Sequence, residues 1–309
     1  MFYCSGTRMK EKLKSFYERK YKALLLIPFL LLFFAFVQIG VQYATTGDFV
    51  HKGITLKGGS TITINYVPSY NLLELETSLQ QTFPKAEIAL RTLHSAGQIT
   101  SFAIDSDAQQ DAEIKALLAA IKEEINVLDE DYSVEVIGSS LGRSFFRQTL
   151  TAIGIAFILM GIVVFIYFRT VVPSLAVILA AFSDIFVTLA IFNLTGIKLN
   201  AAGIAAFLML VGYSVDTDMV LSSRVLKRRE GTVMERIYSS IQTGLMMSAT
   251  TLAAVITALL LVKSDVVKQI MLILLIDLLV DLVMTWIQNV AILRWYLESK
   301  EKKNALKRH

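Results

Sequence analysis

Residues 172–193 read VPSLAVILAAFSDIFVTLAIFN, an apolar run in which Asp184 is the one charged residue. An α-helix rises about 1.5 Å per residue, so a helix of this length crosses the hydrocarbon core of a bilayer, which is about 30 Å thick. A run of this length and composition is typical of a transmembrane helix. The chain is therefore expected to be a membrane protein that carries an acid inside the membrane.

Six apolar runs of this kind are predicted along the chain. They cover residues 22–42, 146–168, 172–193, 199–222, 239–262 and 266–290. The first follows a basic segment, as the apolar core of a signal peptide does. Its apolar part, Ala23–Val41, is too long for such a core, and no small-residue cleavage site closes it. We predict that this run is an uncleaved membrane anchor.

The composition and the motifs disfavour catalytic and metal-binding classes of protein. Of the 309 residues, 54% are hydrophobic and 18% are charged, whereas soluble domains carry about 25% charged residues. The single cysteine, Cys4, excludes an internal disulfide, and His51 and His94 have no second ligand at metal spacing. The chain contains no nucleophile elbow, phosphate-binding loop or zinc signature. We expect no enzymatic activity, no cofactor and no metal.

The distribution of Lys and Arg predicts the orientation in the membrane. Nineteen of these 30 residues lie before the first span, in the loops 2–3 and 4–5, or after the last span. The opposite short loops hold only Lys198, Lys263 and Lys268. Because basic residues favour the cytosolic side, we predict a multi-pass protein of the cell membrane with both termini in the cytosol.

Five segments follow from this topology. They are a cytosolic basic N-terminus (1–21), the first transmembrane helix (22–42), an extracytoplasmic domain (43–145), transmembrane helices 2–6 (146–293) and a cytosolic basic tail (294–309).

The extracytoplasmic domain shows alternating strand and helix patterns. Ile62, Ile64 and Tyr66 alternate with polar residues, which indicates a strand. Further along, the patterns indicate a helix over 72–83, strands at Ala86–Leu93 and Gln98–Ile104 joined by a turn at Ser95–Gly97, a helix over 114–128 and a strand over 132–136. This βαββαβ order predicts a ferredoxin-like sandwich. The predicted fold class is an α-helical membrane protein with six transmembrane helices and an extracytoplasmic α+β ferredoxin-like domain between helices 1 and 2.

The same domain is acidic. Residues 43–147 contain 14 acidic and eight basic side chains. An acidic surface disfavours nucleic acid and anionic lipid as binding partners of this domain. We expect it to bind a partner or to move.

Five acidic residues lie inside the predicted spans: Asp184, Asp216, Asp218, Asp277 and Asp281. An aspartate at the centre of a spanning helix costs about 2.5–3.5 kcal/mol on translocon-based scales, so several in one small bundle need a reason. Counted from the span ends, Asp184 and Asp277 lie near the middle of the bilayer, and Asp216 lies in its inner third. Asp281 lies one turn beyond Asp277 on the same helical face.

Two interpretations of these acids are open. In the first, each carboxyl accepts a hydrogen bond from a neighbouring helix, for which the candidate donors are Ser183, Thr188, Asn193, Thr251 and Thr285. In the second, the carboxyls take up and release protons, as in a proton relay. Since no Lys, Arg or His is predicted at mid-depth, the acids must be neutral, hydrogen-bonded or paired with a second subunit.

Span four contains two of these acids and many small residues. Asp216 and Asp218 are two residues apart, so they point about 200° away from each other around the helix. Asp218 lies near the inner boundary, where an interfacial position near Arg224 is as well supported as a functional role. The small residues are Ala201, Ala202, Gly203, Ala205, Ala206 and Gly212, and they allow neighbouring helices to approach closely. We expect span four to be central and buried.

At these residues the chain resembles a known family. Residues 210–229, LVGYSVDTDMVLSSRVLKRR, resemble the fourth-span signature of the archaeal form of the SecF protein-export membrane proteins. Four further segments match in the same order: GITLKGGSTITI at 53–64, IGSSLGRSFF at 137–146, FSDIFVT at 182–188, and 276–296, which ends in WIQNVAILRWY. The resemblance covers about residues 20 to 297.

The resemblance implies one half of a SecD–SecF complex, related to the resistance-nodulation-division (RND) transporters. Such complexes assist protein export through the Sec channel, and the bacterial forms couple to the proton gradient. The implied partners are a SecD-like six-span subunit, the Sec channel, a translocating polypeptide and membrane lipids, with no nucleic acid.

The resemblance also assigns residues one by one. Asp184 falls on the family's span-three acid, and Arg224 matches the arginine after the span-four motif. Asp216 stands where bacterial SecF has Asn and SecD has Asp, while Thr217 takes the position of the bacterial SecF Asp. The chain departs from its bacterial relatives at two further positions, with Thr55 in place of Asp and Ser139 in place of Pro. The candidate proton-relay residues are Asp184, Asp216, Asp277, Asp281 and Arg224, with Asp218 and Thr217 as further candidates.

Two other functions compete with proton-coupled export. A half-size RND-type exporter of lipids or small molecules should have a wide apolar tunnel in its extracytoplasmic domain. An assembly factor would hold SecD or the channel without moving protons, and its intramembrane acids would be dispensable.

Overall fold

The computed structural model describes residues 19–65, 71–84, 86–95, 98–125, 131–227 and 231–306. The basic N-terminal segment up to residue 18, Tyr66, the turn residues 96–97 and Leu128 lie outside the described residues.

The helices and strands follow one another in a mixed order. They are α1 (Leu26–Thr46), α2 (Ile54–Lys57), β1 (Gly59–Asn65), α3 (Leu72–Thr82), β2 (Ile88–Ser95), β3 (Gln98–Ser106), α4 (Asp111–Ile125), β4 (Tyr132–Ile137), α5 (Ser139–Phe168), α6 (Val171–Leu194), α7 (Ala201–Lys227), α8 (Val233–Leu261), α9 (Asp265–Val283), a π-helical turn (Met284–Asn289) and α10 (Val290–Leu306).

Among the described residues, six helices are long and apolar enough to cross a membrane, which confirms the predicted number. They cover Arg19–Thr46, Ser139–Phe168, Val171–Leu194, Ala201–Lys227, Val233–Leu261 and Val266–Lys300. The last of these ranges extends to Lys300, ten residues beyond the predicted end of span six at residue 290. The added residues belong to α10, whose polar sequence cannot be recognised by apolar content.

The spans form a bundle with an inner and an outer set. More than half of the most apolar part of α6 and of α7 is buried, whereas α1, α5 and α8 expose most of theirs. The last span packs on α6, α7 and α8. At one end of the bundle, Tyr21 donates a hydrogen bond of 2.8 Å to Glu298, so the beginning of the first span meets the end of the last.

The four strands form one antiparallel sheet in the order β2-β3-β1-β4, which is the order of a ferredoxin-like sandwich and confirms that prediction. Ile62 of β1 lies opposite Ile104 of β3 and Val134 of β4. The side chains of Ile62 and Ile104 pack with Leu79 of α3 and Ile121 of α4 into one core. We call residues 59–137 the sheet unit.

The sheet unit joins the bundle through a tight turn and a short bridge. Gly58 and Gly59 have positive φ angles of 91° and 153°, and a Cβ at Gly58 would lie 2.5 Å from Ser139 Cα. Glycine is the residue that adopts such angles without strain, so this pair forms a tight turn before β1. Next to the turn, Leu199 accepts a hydrogen bond from Gly53 N and donates one to His51 O. The loop between α6 and α7 is therefore bonded to the segment that leads into the sheet unit.

Candidate functional site

Four of the five predicted acids lie inside the bundle, between α6, α7 and the last span. Asp184, Asp218, Asp277 and Asp281 are all 0% exposed. Measured along the helices from the end that carries the sheet unit, Asp184 and Asp277 lie about 15–18 Å deep and Asp281 and Asp218 about 24–26 Å deep. The acids therefore occupy two layers, an upper one nearer the sheet unit and a lower one.

The upper layer joins three helices through hydroxyl donors. Ser214 of α7 donates a hydrogen bond to Oδ2 of Asp184 on α6. Thr188, one turn along α6, donates a hydrogen bond of 3.3 Å to Oδ1 of Asp277 on α9. Each carboxyl in this layer thus accepts a hydrogen bond from a helix other than its own.

The lower layer depends on the π-helical turn. Thr285 donates a hydrogen bond of 2.8 Å to Oδ1 of Asp281. Asn289 donates a hydrogen bond of 2.7 Å from Nδ2 to Oδ1 of Asp218 on α7. Gln288 of the same turn donates a bond of 3.3 Å to Ser183, the neighbour of Asp184. The side chains of the turn therefore link the lower layer to the upper one.

All four acids share one feature of bonding. Each carboxyl has one oxygen in a hydrogen bond and one buried oxygen without a partner among the described residues: Oδ1 of Asp184 and Oδ2 of Asp218, Asp277 and Asp281. A protonated carboxyl can donate from such an oxygen, whereas an ionised one can only accept. Each of the four carboxyls therefore has one buried oxygen without a hydrogen-bond partner among the described residues.

The four buried acids share one electrostatic setting. Asp184 lies within electrostatic range of Asp218, Asp277 and Asp281. No Lys, Arg or His is buried in the described part of the chain. Buried like charges repel strongly in a low-dielectric interior and need a partner or a proton. The group therefore places four acids together in a part of the described chain that contains no buried cation.

The π-helical turn was not predicted from the sequence. π-Helical turns occur mostly as single insertions in α-helices, and frequently at functional sites. Trp286 of this turn packs against α8, where a Cβ added to Gly244 would lie 2.1 Å from Trp286 Cζ2. Gln288 and Asn289 were also missed as partners of the site. Two adjacent amides in an apolar span are the signal that could have identified them.

The remaining predicted residues lie elsewhere. Asp216 is exposed on the opposite face of α7, and Thr217 is buried at 2% exposure. Arg224 donates to Ser239 O and, over 2.7 Å, to Thr243 Oγ1, both on α8. The structure therefore does not bring Asp216 or Arg224 into the carboxyl group.

Two expectations need correction. Asp218 does not occupy the interfacial position near Arg224 that its depth allowed, because Asn289 of the π-helical turn holds it in the interior. Span four is buried on one face only: Gly203 and Ala206 are buried, whereas Ala205 and Gly212 are exposed.

Some of the proposed hydrogen-bond donors contact the acids, and others bond elsewhere. Thr188 donates to Asp277 of a neighbouring helix as expected, whereas Thr285 donates to Asp281 of its own span, and Ser183 receives a bond from Gln288. Asn193 donates to Phe49 O, and Thr251 donates to Met247 O of its own helix.

Among the described residues, no three or more His, Cys, Asp or Glu side chains lie together in a way that could hold a metal ion. The arrangement is one of carboxyls that accept hydrogen bonds from hydroxyl and amide donors.

Comparison with known proteins identifies the family. A family model described as protein export membrane protein SecD/SecF, C-terminal, matches residues 116–299. Protein-export membrane protein SecF of Pyrococcus furiosus is 37% identical over 295 residues, a match that covers 96% of this chain and 97% of that relative. The chain belongs to the SecF family.

Further comparisons agree with this assignment. SecF of Methanocaldococcus jannaschii is 36% identical over 294 residues, which covers 92% of this chain and 99% of that relative. The crystal structure of SecDF, a translocon-associated membrane protein from Thermus thermophilus, shares the fold, with a TM-score of 0.69 at 19% identity. That match covers 90% of this chain and 38% of the SecDF chain, so this chain spans well under half of the longer protein.

The family defines the broad role. The SecF relatives are named as export membrane proteins and not as enzymes. The chain is a Sec-associated export subunit and a multi-pass membrane protein.

Proposed function

We propose that this subunit acts with a SecD-like six-span subunit to promote translocation through the Sec channel, and that protons moving through its buried carboxyls drive this action. The observation that carries the proposal is the group Asp184, Asp218, Asp277 and Asp281, which is fully buried with no buried cation in the described chain. Such a group changes its charge by exchanging protons. Among the described residues, each of the four carboxyls has one buried oxygen without a hydrogen-bond partner, and a proton can bind there.

The direction of proton movement follows from the proposed orientation. The excess of Lys and Arg in the termini and in loops 2–3 and 4–5 supports a cytosolic position for both termini. The sheet unit then lies outside, and the upper layer faces the side from which protons enter. Each elementary charge that crosses a potential of 100 mV releases about 2.3 kcal/mol. This energy is available for movement of the subunit.

Protonation changes which helices are held together. When Asp184 is ionised it accepts the bond from Ser214 of α7 strongly, because hydrogen bonds to a charged acceptor are about twice as strong as neutral ones. When Asp277 is ionised, it likewise accepts the hydrogen bond from Thr188 of α6 more strongly. A proton that passes between these acids therefore shifts the stronger contact from one helix pair to another.

Movement of α6 and α7 has a route to the sheet unit. Their connecting loop is hydrogen-bonded to His51 and Gly53 through Leu199. Ala201 N at the start of α7 donates a bond of 3.1 Å to Thr55 Oγ1. Lys198 of the loop donates a bond of 3.1 Å to Glu87 of the sheet unit. These contacts support transmission of a helix shift to the extracytoplasmic part.

The exposed face of α7 supports the SecD-like partner. Ala205, Met209, Gly212 and Asp216 lie along one exposed stripe of this spanning helix. An aspartate on a lipid-facing surface is unfavourable, so a second protein has to cover it. Small residues beside it allow a partner helix to approach closely. The SecDF chain of known structure is long enough to contain a second unit of this size.

The exporter alternative has less support. An exporter of lipids or small molecules needs a wide apolar tunnel in the extracytoplasmic part. The described sheet unit instead packs around one core that includes Ile62, Phe102 and Ile121. The sheet unit is therefore better suited to bind or move a polypeptide that emerges from the channel.

The experiment compares two aspartates of the same helix. Asp218→Asn neutralises a buried acid and Asp216→Asn neutralises an exposed one, and both keep the size of the side chain. We expect Asp218→Asn and Asp184→Asn to slow export of a secreted reporter in cells that also contain the SecD-like subunit. Asp216→Asn should slow export only if it also reduces co-purification with the SecD-like subunit, since its carboxyl lies outside the buried group and on the face assigned to that partner.

Each variant is also tested for its amount in the membrane and for co-purification with the SecD-like subunit. Normal export by both Asp218→Asn and Asp184→Asn would contradict proton coupling and favour the assembly-factor function.

A further inference from the structure

An apolar cavity of about 370 Å³ lies between α1, α5, α6 and α7, away from the buried carboxyls. Its lining residues come from the last part of α1 and α6 and from the first part of α5 and α7. All four of these helix ends lie at the end of the bundle that carries the sheet unit. The cavity is therefore at the depth of the membrane leaflet next to the sheet unit.

The wall of the cavity is entirely apolar. Ile39 of α1, Leu150 and Ile153 of α5, Phe186 of α6 and Phe207 of α7 contribute to it, and no polar atom is exposed on its surface. Water needs two or more polar partners to occupy a buried site, so it gains nothing here. An occupant of this cavity has to be a hydrocarbon.

The cavity is closed toward the sheet unit. Phe49 and Phe146 lie with their ring centroids 5.5 Å apart at this end. The Lys52 ammonium lies 4.6 Å from the Phe146 ring centroid and also bonds to Asp48. Two aromatic rings and a charged pair therefore separate the cavity from the polar surroundings of the sheet unit.

The cavity opens sideways between α1 and α5. α1 packs on α6, and α5 packs on α6 and α7, whereas α1 and α5 make at most slight contact with each other in the described chain. Leu150 at this gap is 39% exposed. Exposed apolar residues continue from the gap along both helices, including Val37 of α1 and Ile155 and Ile158 of α5. The cavity is continuous with the lipid-facing surface of the bundle.

An empty space of this size is unfavourable in a packed protein. Side chains around a void lose dispersion contacts, and an engineered apolar cavity of about 150 Å³ already binds small apolar molecules. The hydrocarbon available to a cavity that opens into a membrane is the chain of a lipid.

We propose that this cavity binds one hydrocarbon chain of a membrane lipid, which enters between α1 and α5. The polar head of the lipid then lies at the membrane surface beside the Lys52–Asp48 pair. Val50 and Leu199, which also line the cavity, belong to the two segments that join the sheet unit to the bundle. The bound chain therefore supports this junction, and its binding does not depend on proton coupling.

The test uses a phospholipid with a photoreactive group in its acyl chain. The full chain, together with its SecD-like subunit, is placed in vesicles that contain this lipid, and labelled residues are mapped by mass spectrometry after illumination. We expect label on Leu150 and Phe186, in addition to outward-facing residues such as Ile158.

Two tryptophan variants of α5 provide the matched comparison. Ile153→Trp fills the cavity and should abolish the label on Leu150 and Phe186, while Ile158→Trp changes only the outer surface and should leave that label in place. If Ile153→Trp does not accumulate in the membrane, Leu189→Phe on α6 is used as the cavity-filling variant, because it adds less volume.

Three results would overturn the proposal. One is label on the outer surface with none on Leu150 or Phe186. Another is unchanged cavity label in the filled variants. The third is cavity label on the isolated chain that disappears when the SecD-like subunit binds, which would assign the cavity to a partner helix.

Discussion

Single residues decide which acids form the site, and Asp216 and Asp218 show why. Their spacing predicts correctly that they lie on different faces of α7, because two residues on a helix are about 200° apart. The pattern could not tell which face is buried, since small apolar residues occur on both. Asp218 is the buried one because Asn289 donates a hydrogen bond to it from the π-helical turn.

Asn289→Leu tests this contact. The substitution removes the hydrogen bond that Asn289 donates to the buried carboxyl of Asp218, and an unsatisfied buried polar group costs about 1–3 kcal/mol. We expect a lower midpoint of thermal unfolding in detergent. Thr257→Val is the control, because Thr257 is exposed, bonds to a carbonyl of its own helix and should have little effect. A variant Asn289→Leu as stable as the wild type would contradict the assigned contact.

At the scale of elements, the sequence predicts helices and strands better than it predicts irregular turns. Apolar runs and the change of period from 3.6 to 2 are local signals, so the six spans and the order βαββαβ could be predicted from them. A π-helical turn alters neither the composition nor the length of a span noticeably. The way in which Thr285, Gln288 and Asn289 turn toward the acids therefore required the structure.

Gly244→Ala tests the support of the π-helical turn by α8. The added Cβ would lie 2.1 Å from Trp286 Cζ2, so Trp286 and the turn have to shift. Overpacking of this kind costs about 1–3 kcal/mol, and we expect both reduced stability and slower export. Gly154→Ala is the matched control, because nothing lies within 4 Å of a Cβ at that position of α5. Equal export by the two variants would show that the position of the turn does not matter.

The ion pairs of Glu87 predict a pH dependence of the junction between sheet unit and bundle. Partial burial opposes ionisation of Glu87, but hydrogen bonds from Lys57 and Lys198 outweigh it and hold the pKa of Glu87 below its ordinary value. A lowered pKa contributes stability at higher pH, and this contribution is lost as the pH falls through the pKa of the folded state. Both partners are substantially exposed, so the contribution is less than about 1 kcal/mol.

Glu87→Gln should therefore have a slightly lower unfolding midpoint than the wild type at neutral pH. The difference should shrink below the ordinary pKa of glutamate and vanish once the pH has fallen through the lowered pKa of Glu87 in the folded state, where the wild-type side chain is protonated. The measurement is thermal unfolding of both proteins over a pH series at low salt. A difference that grows toward low pH would contradict the sign of the effect.

At the scale of the whole molecule, hydrogen bonds connect the acidic sheet unit to the six-span bundle that contains the buried acids. The bridge between Lys52 and Leu199 connects residues that are far apart in the sequence. No local pattern predicts such a contact, because it depends on how the helix ends meet. The lateral cavity escaped prediction for the same reason.

Gly212→Leu tests the proposed face toward the SecD-like subunit. Nothing lies within 4 Å of a Cβ at Gly212, so the chain itself should remain stable. We expect loss of co-purification with the partner because the larger side chain keeps the helices apart. Ile158→Leu on the exposed face of α5 is the control. A heteromer of unchanged mass with Gly212→Leu would place the partner on another face.

The central claim is that proton movement through the four buried acids drives export. The most direct measurement is translocation of a substrate into vesicles that contain this subunit, the SecD-like subunit and the Sec channel, with and without an imposed proton gradient. We expect the gradient to accelerate translocation by the wild type. The variants Asp184→Asn and Asp281→Asn should assemble with the partner subunits but should show no acceleration. Equal acceleration of the wild type and both variants would contradict the account.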